Sequence, residues 1–304
     1  MMIRIFRLTD VAALPLFLRR SPNNIAKVRD KFSSSGSEKT SVLNLLSSCL
    51  APRDQRHSYV CVHHGLIRGL ACLRSSQRST SWEIEHLLIA TDHEECCLNL
   101  LERVGIASTA TKAERLFLRL QKDSPVIQTA KEAGFNPYLT EFLYCLHKEQ
   151  LTESFVTPLK LRASSNLDGH SLFRLYSSVV PIDVRKVEGM TFQEWHLGMD
   201  YSIASGYILE DAGEIKAWLR VRHAGGASQF DILAESEVNM AQLVESGLSM
   251  LSTKNVIYCL VPEFRPDLRH VLEERGFYLV DEFSCLSKQF AVRIHEPKLM
   301  PLQA

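Results

Sequence analysis

The chain repeats one pattern over a long interval. Residues 116–146 and residues 257–286 each contain an apolar run, a proline, a helical stretch ending in Gly-Phe, and a second apolar run beginning with Glu-Phe. The shift between the two copies is 142 residues at Gly-Phe and 141 residues at Glu-Phe. A repeat of this length is a whole domain and not a solenoid unit, so each half is expected to have its own core. The matching positions are Gly134 and Gly276, and then Glu141 and Glu282.

The length of 304 residues agrees with about two domains. We expect an N-terminal domain over residues 1–150, a C-terminal domain over residues 158–295, and a flexible tail over residues 296–304. The polar segment between the two domains is the predicted connector. Two similar domains in one chain can replace the two subunits of a dimer, so we expect a monomer with an internal pseudo-dimer.

Composition excludes several classes of protein. Lysine plus arginine equals aspartate plus glutamate, at 35 each, so no charge excess favours nucleic acid. No run of about 18 apolar residues occurs, so no membrane span is expected. The eight cysteines form no Cys-x-x-Cys pair and no cluster with the ligand spacing of zinc sites, so we expect no metal. They are typical of small buried side chains in the reducing cytoplasm.

Hydrophobic periodicity predicts the same order of elements in each half, namely β, α, α, β, β, β, α, β, α, β. The fold class is therefore α/β (α+β), with two tandem domains that each have a mostly antiparallel mixed sheet flanked by helices. Gly134 is the predicted C-cap of a helix. Thr191 and Glu194 form a predicted capping box at the start of another. Residues 63–65 and residues 211–213 are predicted hairpin turns.

This order of elements resembles that of the GNAT acetyltransferase superfamily, in tandem. The resemblance also includes a local motif, a late helix ending in Gly-Phe and followed by a strand. The motif reads Ala130-Lys-Glu-Ala-Gly-Phe135 in the first half and Leu272-Glu-Glu-Arg-Gly-Phe277 in the second. The resemblance implies acetyl-CoA as cofactor, with its thioester wedged between two splayed strands of a half.

The same resemblance identifies two strand-to-helix junctions as the diphosphate sites. The family pattern there is R/Q-x-x-G-x-G/A, which brings backbone N–H groups to the phosphates. The corresponding positions, Ile89 and Ala90 in the first half and Leu233 and Ala234 in the second, are the cofactor-binding candidates. Neither junction contains glycine or arginine. Acids follow instead and are expected to cap the next helix, which stabilises it by about 0.3–1 kcal/mol; they are Asp92, Glu94, Glu95, Glu235 and Glu237.

Catalytic and phosphate-binding candidates are few. Many relatives place a proton-donating tyrosine four residues before the late glycine, where this chain has Ala130 and Leu272. Glu85 and Asp231, on the fourth strand of each half, are the candidate general bases. Arg265 and Arg269 share a helix face and are candidates for the 3′-phosphate of CoA. The alternative for these two arginines is a solvated helix start.

Two functions therefore remain open. The first is an N-acyltransferase that moves an acetyl group from acetyl-CoA to an amine substrate. The second is a non-catalytic scaffold derived from that fold, which binds a ligand or a protein partner. The missing glycines and tyrosines favour the second function, whereas the fold by itself favours the first.

Overall fold

The structure is a computed structural model. It describes residues 1–21, 23–29, 42–50, 56–75, 80–91, 93, 95–110, 113–147, 149, 157–198, 205–224, 227–251 and 255–290. The predicted tail over residues 296–304 lies outside these residues. The described helices are α1 (Leu14–Arg20), α2 (Val42–Cys49), α3 (Glu95–Ala110), α4 (Val126–Glu132), α5 (Gly169–Val179), α6 (Ile182–Glu188), α7 (Phe192–Gly198), α8 (Met240–Met250) and α9 (Pro266–Glu274).

The described strands form one sheet of 12 strands. In chain order they are β1 (Met2–Ile5), β2 (Arg56–His63), β3 (Leu66–Ser75), β4 (Ser81–Ile89), β5 (Arg115–Gln121), β6 (Asn136–His147), β7 (Arg162–Ala163), β8 (Ser205–Asp211), β9 (Glu214–Ala224), β10 (Ala227–Ala234), β11 (Val256–Pro262) and β12 (Tyr278–Gln289). Across the sheet their order is β1-β2-β3-β4-β5-β12-β6-β11-β10-β9-β8-β7. Most neighbouring pairs are antiparallel, which confirms the predicted fold class.

Helices cover both faces of the sheet. The front face packs against α3 and α4 in the first half and against α8 and α9 in the second. The back face packs against α1 and α2 and then against α5, α6 and α7. The alternation of strand β5 shows how the sequence produces these layers. Leu116, Leu118 and Leu120 enter the front core, whereas the side chains between them, including Arg119, lie on the back.

The two halves exchange their last strands. Strand β6 pairs with β11 of the second half, and β12 pairs with β5 of the first. Strands β6 and β12 also pair with each other, antiparallel, at the centre of the sheet. There Phe142 faces Glu282 and Glu141 faces Phe283, so the repeated Glu-Phe motifs meet across a pseudo-twofold axis. The predicted boundary between residues 150 and 158 stays a prediction, because each half is completed by a strand of the other.

The Gly-Phe motifs end helices in the same way in both halves. Gly134 has φ +86° and Gly276 has φ +87°, in the left-handed region that favours glycine. The next amide, Phe135 or Phe277, donates to a helix carbonyl five residues back at 3.0 Å. Both features confirm the predicted C-cap at Gly134 and extend it to the second copy.

Several element boundaries differ from the predictions. A helix capped at Thr191 was expected within residues 184–195, and the structure has two short helices there, α6 and α7. They are separated at Gly189, where an added Cβ would lie 2.8 Å from the Trp195 amide nitrogen. The Thr191 capping box is confirmed at the start of α7, since the Glu194 amide donates to Thr191 Oγ1 at 3.2 Å. Strands β6 and β12 begin four to five residues earlier than expected, because exchanged partners extend them.

An ion pair shows that the repeat extends to the start of each half. Arg4 in β1 forms a two-bond pair with Asp10, and Arg162 in β7 forms the same pair with Asp168; each aspartate follows the strand. The Arg162 hydrogen bond is the main cause that lowers the pKa of Asp168 to about 2. The six-residue spacing is the same in both copies, although the intervening residues differ.

We predict that Asp168→Asn destabilises the protein by about 1 kcal/mol at pH 7. The expected loss is this small because Arg162 is half-exposed, so that solvent screens the ion pair. Since the folded-state pKa is lowered, this stabilisation is present above about pH 4 and is lost as the pH falls towards 2. Urea unfolding between pH 7 and pH 3 measures it. Asp183→Asn, at a carboxylate that is 85% exposed, is the control. A deficit that stays constant with pH would contradict the assignment.

Candidate functional site

The first candidate site is a gap between β4 and β5. These parallel strands pair only from Ser81 and Arg115 to Glu83 and Phe117, and they then diverge. A register shift between β3 and β4 leaves Glu85 as an extra residue at the point of divergence. Such a bulge bends the strand away from its neighbour. The open edges of β4 and β5 therefore form a wedge, as expected for the thioester cleft.

The chain fills this wedge with its own residues 24–27, which we call the plug. The side-chain amide of Asn24 donates to the Glu85 carbonyl at 2.9 Å and accepts from the Leu87 amide at 2.8 Å. The Ile25 amide donates to the Leu87 carbonyl, and the Lys27 amide donates to the Arg119 carbonyl, both at 2.9 Å. The plug thus satisfies backbone groups of both diverging strands.

The plug is also packed into the front core. Ala26 is fully buried there, and Ile25 packs against the same cluster beside α3 and α4. Just before the plug, Ser21 Oγ donates to the Ile89 carbonyl at 2.8 Å. The Ala90 amide donates to the Arg68 carbonyl at 2.8 Å. The predicted cofactor-binding positions of the first half are therefore engaged by the protein itself.

The junction before α3 retains one of the predicted capping acids. Glu95 is the first residue of α3, and its pKa is lowered by a hydrogen bond from its own backbone amide and then by His93. The nearest atoms of His93 and Glu95 are 3.3 Å apart. Asp92 and Glu94 lie outside the described residues. An acid at this end agrees with the helix dipole and opposes a diphosphate.

The second candidate site is the matching gap between β10 and β11. These strands pair from Ala227 to Phe230 and then diverge. Within the described ranges, no main-chain segment bonds to both diverging edges as the plug does. A side chain crosses the mouth of this gap instead, because the buried Arg265 donates through Nη1 to the Ala234 carbonyl at 2.9 Å.

The two arginines predicted for phosphate binding are both engaged. Arg265 also forms a two-bond pair with Asp267, at 2.9 and 2.7 Å. Arg269 lies 4.0 Å from the centre of the Phe142 ring and donates to Tyr144 Oη at 3.3 Å. The alternative prediction, a solvated helix start, requires both guanidiniums to point into solvent. Neither does so. Their predicted role toward CoA stays a prediction.

The junction before α8 differs from the expectation. Helix α8 begins at Met240, so its cap is Asn239, whose side chain accepts from the Gln242 amide at 3.2 Å. The prediction that Glu235 or Glu237 caps this helix is wrong, because both residues precede the first turn. Glu235 instead lies 3.2 Å from Lys216. Leu233 and Ala234 pair with β9 at the end of β10.

The two predicted bases are buried in ion pairs. Glu85 is fully buried and lies 2.7 Å from Arg56, which also donates to Ser48 Oγ. Asp231 lies 2.9 Å from Arg222, and the Arg220 and Arg222 guanidiniums hold its pKa below the ordinary value although burial by itself would raise it. Carboxylates held in this way are poor proton acceptors at neutral pH.

A third group of charges, at the pseudo-twofold axis on the back face, was missed by sequence reasoning. The buried Glu141 carboxylate accepts from Arg29 at 2.6 Å and from Arg119 at 2.7 Å. The half-buried Glu188 lies nearby and accepts from Tyr138 Oη at 3.3 Å. Burial raises the pKa of Glu188, which is the direction that suits a proton-transfer group. The repeated Glu-Phe motif signalled Glu141, whereas no motif signalled Glu188.

A groove of about 670 Å³ remains beside the plug. It lies between the plug, the turn that leads from β5 to α4, and the start of β12. Asn23, Lys27 and Lys122 contribute polar groups to it, and the exposed Leu279 and Val280 contribute apolar surface. The acids Asp123, Asp281 and Glu282 also line it, so the groove carries charges of both signs.

Neither a membrane-spanning helix nor a metal-binding cluster occurs in the described part of the chain. No helix in those residues is both long and apolar enough to cross a membrane. No group of three or more histidine, cysteine, aspartate or glutamate side chains among them is arranged to hold a metal ion.

The fold is a tandem GNAT acetyltransferase fold, and comparisons with solved structures establish this. The chain is similar to the GCN5-related N-acetyltransferase from Sphaerobacter thermophilus, with a TM-score of 0.60 and 12% identity over 95% of each chain. It is also similar to a tandem GNAT protein from the clavulanic acid biosynthesis pathway, determined without AcCoA, with a TM-score of 0.55 and 11% identity over 95% of this chain and 98% of that chain. No protein-family model and no curated protein sequence matches the chain.

Proposed function

We propose that this chain binds a ligand or a protein partner on an acetyltransferase scaffold, without acyl transfer in its N-terminal half. The plug is the observation that carries this proposal. Residues 24–27 bond to β4 and β5 where the strands diverge. By the family resemblance, the thioester of acetyl-CoA would occupy the same gap and would compete for the same backbone groups.

The free energy of the plug's hydrogen bonds favours the plug over the cofactor in this half. The plug makes four hydrogen bonds to the two strands, and each contributes about 0.5–1.5 kcal/mol net. Displacing it would therefore cost roughly 4 kcal/mol, which lowers the affinity of a competing ligand about a thousandfold. Burial of Ala26 in the core adds to this cost.

The groove beside the plug is the proposed binding surface. Lys27 can contact acceptor groups, whereas Lys122 is paired with Glu282 at the edge of the groove. The exposed Leu279 and Val280 can contact a nonpolar part of a ligand or partner. We further propose that the working unit is one cytoplasmic copy of the chain with domains over residues 1–150 and 158–295. The central β6–β12 pair supports the single copy, because it already joins two similar halves.

The second candidate function is acetyl transfer from acetyl-CoA to an amine in the C-terminal half. The gap between β10 and β11 supports it, since a movable side chain, Arg265, crosses the mouth in place of main chain. Opening this mouth breaks one hydrogen bond to a strand edge, from Arg265 to the Ala234 carbonyl, whereas displacing the plug breaks four.

Acetyl-CoA binding distinguishes the two functions. We predict that saturating acetyl-CoA leaves the melting temperature of the full chain unchanged and that no free CoA forms with a panel of primary amines. A cofactor present at about 100 times its dissociation constant would add about 2.7 kcal/mol of stability, a shift of several degrees. Such a shift, together with CoA release, would overturn the proposal.

Two variants would then identify the half that binds. Asn24→Ala weakens the plug and should increase affinity only if the first half takes the cofactor. Arg265→Ala opens the second mouth and should change affinity only if the second half does. Asp183→Asn, at an exposed carboxylate that lines neither gap nor the groove, is the control for both.

A further inference from the structure

Two pairs of cysteine thiols lie close together in the first half. Cys49, the last residue of α2, has its Sγ 3.5 Å from Sγ of Cys72 on β3. Cys61 on β2 has its Sγ 2.7 Å from Sγ of Cys96 on α3. All four thiols are free in the structure. Proximity by itself would therefore favour cross-linking of the second pair.

Access to solvent separates the two pairs. Cys61 and Cys96 are fully buried, and Cys72 is 1% exposed. Cys49 is half-buried at the last position of α2, a helix whose first turn includes the exposed Leu43. A small dissolved oxidant can therefore reach Cys49 before it reaches the other three thiols.

The local electrostatics favour the same residue. The pKa of Cys49 is lowered, chiefly by the hydrogen bond from the Cys72 thiol, and the Arg56 guanidinium also contributes. Burial raises the pKa of Cys61, Cys72 and Cys96. The thiolate is the reactive form of cysteine, so reactivity should follow this order.

We propose that Cys49 and Cys72 form a peroxide-sensitive thiol pair, with Cys49 as the attacking residue and Cys72 as the resolving residue. The Cys49 thiolate attacks one oxygen of a hydroperoxide, the O–O bond breaks, and the alkoxide or hydroxide that leaves takes up a proton. Cys49 is then a sulfenic acid. Cys72 loses its proton and attacks Cys49 Sγ, the S–O bond breaks, and water leaves. In total, two thiols and one hydroperoxide give one disulfide, one alcohol or water, and one further water.

Little movement is needed for this bond. The sulfur atoms must approach from 3.5 Å to about 2.05 Å. Cys72 is held within the sheet, whereas Cys49 is at the end of a helix that leads into the exposed Leu50. The disulfide would fix the end of α2 to β3, beside the Arg56–Glu85 pair, because Arg56 already bonds to Ser48 on α2.

Peptide mass spectrometry after treatment with hydrogen peroxide tests the proposal. The full-length protein is oxidised in its folded state, its remaining thiols are alkylated, and the digest is searched for cross-linked peptides. We expect a Cys49–Cys72 link and a fall from eight alkylated cysteines to six. This link should form before any Cys61–Cys96 link, because Cys49 is the most exposed of the four thiols.

Serine variants provide the controls. In Cys72→Ser the sulfenic acid has no resolving thiol, so dimedone should label Cys49. In Cys61→Ser the Cys49–Cys72 link should form as in the parent chain. The proposal is overturned if the Cys61–Cys96 link forms first, if no Cys49–Cys72 link forms, or if dimedone labels another cysteine in Cys72→Ser. Circular dichroism confirms that each variant is folded before the oxidation.

Discussion

Replacing Glu141 by glutamine should lower the free energy of unfolding by about 3 kcal/mol. The Glu141 side chain is 1% exposed and accepts from both Arg29 and Arg119. The two guanidiniums hold the pKa of Glu141 below its ordinary value, although burial by itself would raise it. Without this negative charge, Arg29 and Arg119 lose the buried carboxylate that they share, and Arg119 keeps the more distant Glu83, at 3.6 Å. Urea unfolding at neutral pH measures the loss.

The internal repeat supplies a matched control for this substitution. Glu282 is the counterpart of Glu141 across the pseudo-twofold axis, but its partner Lys122 is 58% exposed. Glu282→Gln should therefore change the free energy of unfolding by less than about 1 kcal/mol. Equal losses in the two variants would mean that burial of the Glu141 pair adds nothing to stability.

Replacing Asn24 by alanine should destabilise the protein by about 2 kcal/mol, because two hydrogen bonds to β4 are lost at once. The Leu87 amide would lose its acceptor, so hydrogen exchange at Leu87 should accelerate. Urea unfolding gives the stability change, and exchange measured by mass spectrometry locates it.

Asn23→Ala is the matched control, since Asn23 has the same side chain and is exposed one residue earlier. It should leave both the unfolding free energy and the exchange at Leu87 unchanged. If Asn24→Ala also leaves the exchange at Leu87 unchanged, the plug does not protect β4 and the proposal for the first half loses its basis.

Local sequence signals predicted the elements well. Gly134 is a C-cap because only glycine adopts the required φ without strain, and Thr191 caps α7 through a short-range pattern. The alternation in β5 likewise places its leucines in the front core. These features depend on neighbours within a few residues, which a single sequence displays.

Such local signals do not predict which strands pair when they lie far apart in the sequence. Nothing near β6 specifies β11 as its neighbour, so the exchange of last strands was not predicted. The plug was missed for the same reason, because Asn24 bonds to residues 61 and 63 positions later in the chain. Of the candidate site, sequence reasoning found the two junctions and singled out Arg265 for phosphate binding, but it did not find Asn24 or the contact of Arg265 with Ala234.

The exchange of last strands constrains how the chain can be synthesised and folded. Strand β5 ends at Gln121, yet its partner on one side is β12, which reaches Gln289. A nascent chain leaving the ribosome therefore carries an unpaired β5 edge until β12 has been translated. Because this pairing forms late, folding is slow, and the unpaired edge of β5 can pair with strands of other molecules. Expression of the first half by itself should consequently give an aggregating product.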